Sequence, residues 1–293
     1  MRCENPYVKT PTGVKKWHLF SEQGRLNATP FGCGQCIGCR INKARMWQLR
    51  ILMESSVTAD NCFVTLSYED ENLQFTDSGL PDLIPQDLTK YFKRLRKNSG
   101  KKLRYFAVGE YGKQTQRPHY HIAIFGLSEL DLPVIDSSWG MGFTHIGELN
   151  ENTANYISGY VTKGWTFKKC TALETRHPEF MRCSKHNGGI GYGACVQIAK
   201  QLQQKGHKNL VNEIRVGSKL LPLGQYMTSK LSQLLDLDQS ILDENFFHYQ
   251  KTVLPDLIGE DGNVKLNAEI NSAPAILSMT KKAKIFSQKR DSL

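Results

Sequence analysis

Two histidines separated by one residue, His119 and His121, begin an alternating apolar run in the sequence RPHYHIAIFG. This alternation predicts a β-strand, and residues two apart on a strand share a face, with side-chain bases about 7 Å apart. Glu110 closes the preceding strand-like sequence KLRYFAVGEYG. If the two segments pair as an antiparallel hairpin, the carboxylate faces one of the imidazoles, depending on register.

These three side chains form a ligand set that leaves positions open for water or a phosphate oxygen. Mixed nitrogen and oxygen ligation suits Mn²⁺, and it suits Mg²⁺ when phosphate completes the shell. We therefore predict a divalent metal site at His119, His121 and Glu110. The competing interpretation is a histidine pair that is exposed or bonded to the backbone, with a solvated glutamate at the end of a hairpin.

A second pattern, NYISGYVTKG, places Tyr156, Tyr160 and Lys163 at i, i+4 and i+7 of a predicted helix, which is one face. A phenol titrates near ~10 and is a poor nucleophile at neutral pH unless a neighbouring group helps. A divalent ion would polarise a phosphodiester, and Lys163 could favour the phenolate or hold the leaving oxygen. The reaction would yield a phosphotyrosine link and a free 3′-hydroxyl. In the competing interpretation both tyrosines are packing residues with solvated hydroxyls.

Three cysteines with two residues between each pair, Cys33, Cys36 and Cys39, precede a predicted helix, and Cys3 is available as a fourth ligand. Four thiolates favour a tetrahedral structural Zn²⁺ site. The spacing also matches part of an iron–sulfur run, although the fourth spacing and the following proline are missing. The other alternative is a glycine-rich turn with reduced thiols.

The charge of the chain favours a polyanionic partner, because 38 Lys and Arg face 28 Asp and Glu in 293 residues, a net +10. The densest basic run lies on a predicted helix, and we expect it to contact DNA, the alternative being a solvated helix face. Its first members are Lys90, Lys93, Arg94, Arg96 and Lys97. No apolar run approaches the roughly 20 residues that cross a bilayer, and the N-terminus lacks the apolar stretch of a signal peptide. We therefore expect no membrane partner and reduced cysteines inside a cell.

The order of predicted elements indicates an α+β fold with a mostly antiparallel central sheet and flanking helices. The histidines lie on a central strand, and the tyrosine helix faces the metal. We divide the chain into a loop-rich N-terminal segment with the cysteines (1–40), an endonuclease domain (41–235) and a C-terminal extension (236–293) that is in part disordered or an appended helix.

The combination of His119-Tyr120-His121 with Tyr156-x3-Tyr160-x2-Lys163 resembles the signature of the His-hydrophobic-His (HUH) rolling-circle endonucleases. The surrounding segments are similar to the replication initiators of microviruses of the gokushovirus type, which are small circular single-stranded DNA phages. These segments are CGQCIGCR, FVTLSYEDENL, FAVGEYG, RPHYHIAIFG, YVTKG and LPLGQY. The resemblance runs from about Cys3 to Tyr226 and implies a ferredoxin- or RRM-like core.

The resemblance also implies an activity, a sequence-specific single-strand DNA endonuclease and ligase that acts at the replication origin of single-stranded or supercoiled DNA. One tyrosine would hold the 5′-phosphate while a host polymerase, aided by a host helicase, extends the 3′-hydroxyl in the bacterial cytoplasm. The other tyrosine would cut the regenerated origin and release a closed circle. Because Tyr160-x2-Lys163 matches the single-tyrosine pattern of related enzymes, Tyr160 is the expected nucleophile and Tyr156 the auxiliary one.

Two other functions compete with replication initiation. A transposase or a conjugative relaxase of the same superfamily would use the same residues on a different DNA. A non-catalytic, zinc-stabilised nucleic-acid-binding protein would keep the cysteine site and the basic surface but would cleave nothing.

Overall fold

The computed structural model describes residues 3, 6–10, 13–16, 30–161, 176–207, 210 and 213–237. The chain divides into two compact units, one of residues 46–201 and one that joins residues 1–45 with 202–293. The predicted domain limits at residues 40 and 235 stay a prediction, and nearly all of the predicted C-terminal extension lies outside the described residues.

The secondary structure alternates between strands and helices through the middle of the chain. In chain order the strands are β1 (Tyr7–Thr10), β2 (Gly13–Lys16), β3 (Pro30–Phe31), β4 (Asn61–Ser67), β5 (Arg104–Tyr111), β6 (Pro118–Phe125), β7 (Thr144–Gly147), β8 (Phe180–Cys183), β9 (Glu213–Val216) and β10 (Lys219–Pro222). The helices are α1 (Ile37–Ser56), α2 (Pro85–Ser99), α3 (Leu132–Trp139), α4 (Glu151–Gly159), α5 (Tyr192–Gln204) and α6 (Gly224–Leu235).

The unit of residues 46–201 is built on a five-stranded sheet of order β7-β4-β6-β5-β8, in which every neighbouring pair is antiparallel. The run β4-α2-β5-β6-α3-β7 has the β-α-β-β-α-β order of a ferredoxin-like core, and β8 extends the sheet beside β5. The predicted α+β class, with its mostly antiparallel central sheet and flanking helices, is confirmed. The histidines lie on β6, the central strand.

The two faces of this sheet bury different clusters. Tyr120, Ile122 and Ile124 of β6 are fully buried with apolar residues of α2 and α3. Ala123 and Phe125, on the opposite face, pack with residues of α1 and α4. Because alternate residues of a strand point to opposite faces, the histidines share the second face.

Local signals explain several boundaries. Pro85 occupies the first turn of α2, where its missing N–H costs nothing, and Gly100 ends the helix at φ 63°. The sequences KLRYFAVGEYG and RPHYHIAIFG form the predicted antiparallel hairpin, β5 and β6.

The other unit contains a three-stranded sheet of order β2-β1-β3, the β9–β10 hairpin and α6. The N-terminal segment predicted as loop-rich therefore carries three short strands, whose sequences are too short to show alternation. Within the part of the chain that the structure describes, no helix combines the length and the apolar character needed to cross a membrane.

Candidate active site

The register of the central hairpin brings the predicted metal ligands together. Glu110 of β5 pairs directly with His119 of β6, and directly paired residues of antiparallel strands point to the same face. The carboxylate oxygen Oε1 of Glu110 lies 3.0 Å from Nε2 of His119 and 2.9 Å from Nε2 of His121. Glu110 is only 4% exposed and His121 only 7% exposed, so all three donors meet in a largely water-free place.

The remaining ring nitrogens are held by the protein. Nδ1 of His119 lies 3.2 Å from the carbonyl oxygen of Arg117, and Nδ1 of His121 lies 2.9 Å from the hydroxyl of Thr65. Since a carbonyl oxygen only accepts, Nδ1 of His119 donates, and Nε2 of the neutral ring then carries a lone pair. A lone pair 3.0 Å from a carboxylate oxygen is repelled unless a proton or a cation lies between them.

This arrangement fits a divalent cation. The three ligand atoms lie within 4.8 Å of one another. Adjacent ligands of an octahedral ion with bonds of about 2.1 Å are about 3.0 Å apart, which matches both separations from Glu110, 3.0 and 2.9 Å. Orientation of a ligating imidazole through its other nitrogen is the usual second layer of a metal site. His119, His121 and Glu110 could therefore hold a metal ion.

A capped helix brings the first tyrosine to these ligands. The side chain of Asn150 accepts hydrogen bonds from the backbone N–H groups of Asn152 and Thr153, and the Thr153 hydroxyl accepts from the backbone N–H of Asn150. This capping box fixes the start of α4. Two turns later, the hydroxyl of Tyr156 lies 3.1 Å from Nε2 of His121 and 3.4 Å from Oε1 of Glu110.

Tyr160 lies one turn further, at the end of α4, and its ring centroid is 5.1 Å from that of Tyr156 and 5.8 Å from that of His121. Tyr160 is 9% exposed, whereas Tyr156 is half-buried. Burial raises the pKa of Tyr156 to about 12, with the Glu110 charge adding to it and a hydrogen bond with Tyr160 opposing it. Burial first, and then the same carboxylate, raises the pKa of Tyr160 well above its ordinary range. Lys163, the third member of the predicted face, lies outside the described residues.

Sequence reasoning missed four residues that support the site. Thr65 and Arg117 orient the imidazoles, Asn150 sets the helix, and the ring of Phe63 stacks on His121 at 5.8 Å. The sequence contains one signal for them, since Asn150 has the residue type of a helix N-cap and Thr153 stands three positions later. Thr65 carries no such signal, because only the pairing of β4 with β6 places it beside His121.

The four predicted cysteine ligands also come together. The Sγ atoms of Cys3, Cys33, Cys36 and Cys39 lie within 4.8 Å of one another. Backbone N–H groups point at the sulfurs, with Cys36 N 3.3 Å from Sγ of Cys33 and Cys39 N 3.5 Å from Sγ of Cys36. Burial raises the pKa of the Cys33 thiol, but the N–H groups of Cys36 and Gln35 and two neighbouring thiols outweigh it and lower the pKa to about 7. The cluster could hold a metal as four thiolates.

The predicted DNA-contact residues lie on α2, which packs against the face of the sheet opposite to the histidines. Lys90, Lys93 and Lys97 are exposed. Arg94 is used within the protein, because its guanidinium donates to the carbonyl oxygens of Ser138 and Trp139 at the end of α3, at 2.7 and 2.9 Å. DNA contact by this helix stays a prediction.

Fold and site together define a class of protein, an α+β domain whose central strands carry a His-x-His-Glu ligand set beside two tyrosines of a helix. Residues 61–165 match the model of a family described as Replication-associated protein ORF2. This stretch contains β4 to β7, α4 and every predicted residue of the His/Glu/Tyr site.

Curated relatives come from three phages. The chain is 38% identical over 179 residues to Replication-associated protein ORF2 of Spiroplasma virus 4, covering 54% of this chain and 55% of that protein. It is 34% identical over 159 residues to Replication-associated protein VP4 of Bdellovibrio phage phiMH2K, covering 47% and 50%. It is 25% identical over 158 residues to Replication-associated protein ORF4 of Chlamydia phage 1, covering 46% and 38%.

The chain thus spans about half the length, or less, of the curated relatives that it matches. No solved structure matches it. The resemblance to phage replication proteins that the motifs indicated is confirmed at this level. Membership of the HUH superfamily stays a prediction.

Proposed function

We propose that this protein initiates rolling-circle replication by cutting and rejoining one DNA strand at an origin. The observation that supports this proposal most directly is the convergence of Glu110, His119, His121 and the Tyr156 hydroxyl within hydrogen-bonding distances. The similarity to replication-associated proteins of phages points to the same biological process.

His119, His121 and Glu110 would hold a divalent cation, Mn²⁺ or Mg²⁺. When bound, the cation supplies electrostatic stabilisation of the charge that develops on the phosphate. The protein contributes the orientation of the ligands, through Thr65 and the Arg117 carbonyl, and a site from which water is largely excluded.

A tyrosine supplies the nucleophile. Its oxygen forms a bond to phosphorus while the bond from phosphorus to the 3′-oxygen breaks; the phenol loses its proton and the leaving 3′-oxygen takes one up. The strand then carries a 5′-phosphotyrosine, and no nucleotide cofactor is consumed. Lys163 is proposed to favour the phenolate or to hold the leaving oxygen.

Two tyrosines one turn apart allow two successive cuts at one metal. The motif favours Tyr160 as the nucleophile, whereas the hydrogen bonds favour Tyr156, whose hydroxyl contacts both His121 and Glu110. We propose that Tyr156 makes the first cut and that Tyr160, the more buried, makes the second. The single variants Tyr156→Phe and Tyr160→Phe separate these roles, because the one that cuts first is required for any adduct on a linear strand.

Covalent capture tests the proposed function. The wild-type protein is incubated with Mn²⁺ and an end-labelled pool of single-stranded oligonucleotides with a randomised centre, and adducts are separated on a denaturing gel. We expect the wild type to form adducts on a subset of sequences and the Tyr156→Phe/Tyr160→Phe variant to form none while still binding DNA. Tyr105→Phe, a half-buried tyrosine packed with the cluster on the opposite face, is the matched control and should react as the wild type does.

The same gel separates the competing functions. A non-catalytic nucleic-acid-binding protein would give no adduct with the wild type, and that result would overturn the proposal. Captured sequences confined to hairpin ends would favour a transposase instead. Contact of α2 with DNA, and recruitment of a host helicase and polymerase in the bacterial cytoplasm, are further parts of the proposal.

We also propose a structural Zn²⁺ at Cys3, Cys33, Cys36 and Cys39, supported by the convergence of the four sulfurs and by the N–H groups directed at them. Because binding of a structural metal contributes directly to folding, Cys36→Ser should lose bound zinc and lower the melting temperature. Metal analysis of the purified protein measures the first effect and thermal unfolding the second. Cys62→Ser, a buried cysteine of β4 away from the cluster, should keep its zinc. An equal zinc content in the wild type and Cys36→Ser would contradict the proposal.

A further inference from the structure

The row of residues that contains the metal ligands continues across the sheet to its edge. His121 of β6 pairs with Thr65 of β4, and Thr65 pairs on its other side with His145 of β7. Directly paired residues share a face, so His145 projects on the side of the metal ligands. β7 is the outermost strand on this side of the sheet.

A parallel row ends in an aromatic residue. His119 pairs with Ser67, and the backbone N–H of Ser67 donates to the carbonyl oxygen of Phe143 at 2.9 Å. The same register therefore extends one step beyond β7. Leu66 and Tyr68, the neighbours of Ser67, are buried in the cluster on the opposite face, which leaves Ser67 and Phe143 on the side of the ligands.

Phe143 is 66% exposed, and His145 is exposed as well. Single exposed apolar residues are common on protein surfaces. Phe143 differs from them in its position, since it lies two strand spacings, roughly 10 Å, from His119. Only the small hydroxyl side chains of Ser67 and Thr65 separate this edge from the ligands.

The backbone holds Phe143 in place. Gly142 has φ 149°, and a Cβ atom there would lie 2.4 Å from the Ser67 carbonyl oxygen and from the Glu69 backbone nitrogen. The chain before β7 can therefore approach β4 this closely only because residue 142 has no side chain. Glu69 N donates to the Met141 carbonyl oxygen at 3.1 Å, on the other side of this contact.

We propose that Phe143, assisted by His145, forms a stacking platform for an unpaired DNA base next to the phosphate that is cut. This inference rests on the proposed function and names a base contact for the same site. The occupant is single-stranded DNA, because the rows of the sheet lead from the platform directly to the ligands. An aromatic face stacks on any base without reading its sequence, so the platform would position the strand while other contacts select the origin.

A pair of DNA probes tests the platform without any cleavage. Binding of labelled oligo-dT and of an abasic strand with the same number of phosphates is measured by fluorescence anisotropy with no added divalent cation. We expect the wild type to bind oligo-dT more tightly than the abasic strand. Phe143→Ala should weaken binding of oligo-dT on the order of tenfold and leave binding of the abasic strand unchanged.

Two further variants serve as controls. Phe143→Trp keeps an aromatic face and should restore the preference for oligo-dT. Phe75→Ala removes another exposed phenylalanine, 57% exposed in the segment between β4 and α2, and should bind both probes as the wild type does. The inference is wrong if Phe143→Ala binds oligo-dT as tightly as the wild type, or if it loses the same factor on both probes.

The outcomes separate the platform from the proposed function. Adduct formation by the wild type together with an unaffected Phe143→Ala would defeat the platform alone. A base preference that depends on Phe143 in a protein that forms no adduct would defeat the endonuclease proposal and keep the platform.

Discussion

The two faces of β6 use the same strand for different purposes. On one face, Nε2 atoms of His119 and His121 converge on Oε1 of Glu110. On the other face, the Tyr120 hydroxyl is fully bonded within the protein, 2.8 Å from the Tyr68 hydroxyl and 3.0 Å from the Ile84 carbonyl oxygen. Polar atoms on the first face are directed at a common point, and those on the second are bonded to one another.

This difference means that the parity of a residue along β6 decides what its substitution affects. A residue of the histidine face should change the chemistry with little effect on folding, and a residue of the tyrosine face should do the reverse. The middle residue of the His-x-His motif, Tyr120, is therefore a core residue between two ligands. The following predictions test this separation.

Glu110→Gln should have the largest effect. It removes the charge that both imidazoles share while keeping the shape of the side chain, so we expect the rate of adduct formation to fall by about 10²–10³-fold. The melting temperature should change little. Glu71→Gln, an exposed glutamate of the 3₁₀ helix after β4, is the control and should keep the full rate. A normal rate for Glu110→Gln would remove this residue from the site.

Thr65→Val should have a smaller effect on the same rate. The substitution keeps the volume of the side chain but removes the hydroxyl that holds Nδ1 of His121, and loss of such a partner lowers metal affinity or activity by about 10–100-fold. Titration of activity with Mn²⁺ measures the shift. Thr65→Ser should recover most of the affinity, whereas Thr144→Val on the neighbouring strand should act as the wild type does. Equal metal affinities of Thr65→Val and the wild type would contradict the role of Thr65.

Tyr120→Phe should affect stability alone. Loss of its hydroxyl leaves the Tyr68 hydroxyl and the Ile84 backbone without a buried partner, which should lower the free energy of unfolding by about 1–3 kcal/mol. Urea denaturation measures this loss, and the adduct rate should stay unchanged. A large loss of rate with normal stability would show that the two faces are not separate.

Alkaline pH should also act on the tyrosine face, with no effect at neutral pH. Burial raises the pKa of Tyr68 and of Tyr91 far above the value of about 10 for an unfolded chain. The protonated phenols therefore stabilise the folded state below about pH 10, and this stability is lost as the pH rises above 10. Thermal unfolding from pH 8 to about pH 11 should show a flat melting temperature followed by a decline. A melting temperature that holds above pH 10 would contradict this expectation.

Local patterns in the sequence were enough to predict β6, its hairpin with β5, the limits of α2 and the shared face of Tyr156 and Tyr160. The face of Glu110 could not be predicted, because it depends on a register that the connection between the strands sets. Thr65 and Phe143 could not be found either, since they reach the site only through pairing between strands far apart in sequence. The short N-terminal strands lacked alternation, and only their pairing reveals them.

The cap at Asn150 has a consequence for how this protein can vary. A helix turns by about 100° per residue, so one residue added or removed between Asn150 and Tyr156 would carry both phenols around the helix axis and away from the ligands. Point substitutions on the outer surface of this segment leave that phase intact. Changes of length in α4 should therefore inactivate the protein even where they touch no residue of the site, whereas the connections at its rim can lengthen or shorten freely.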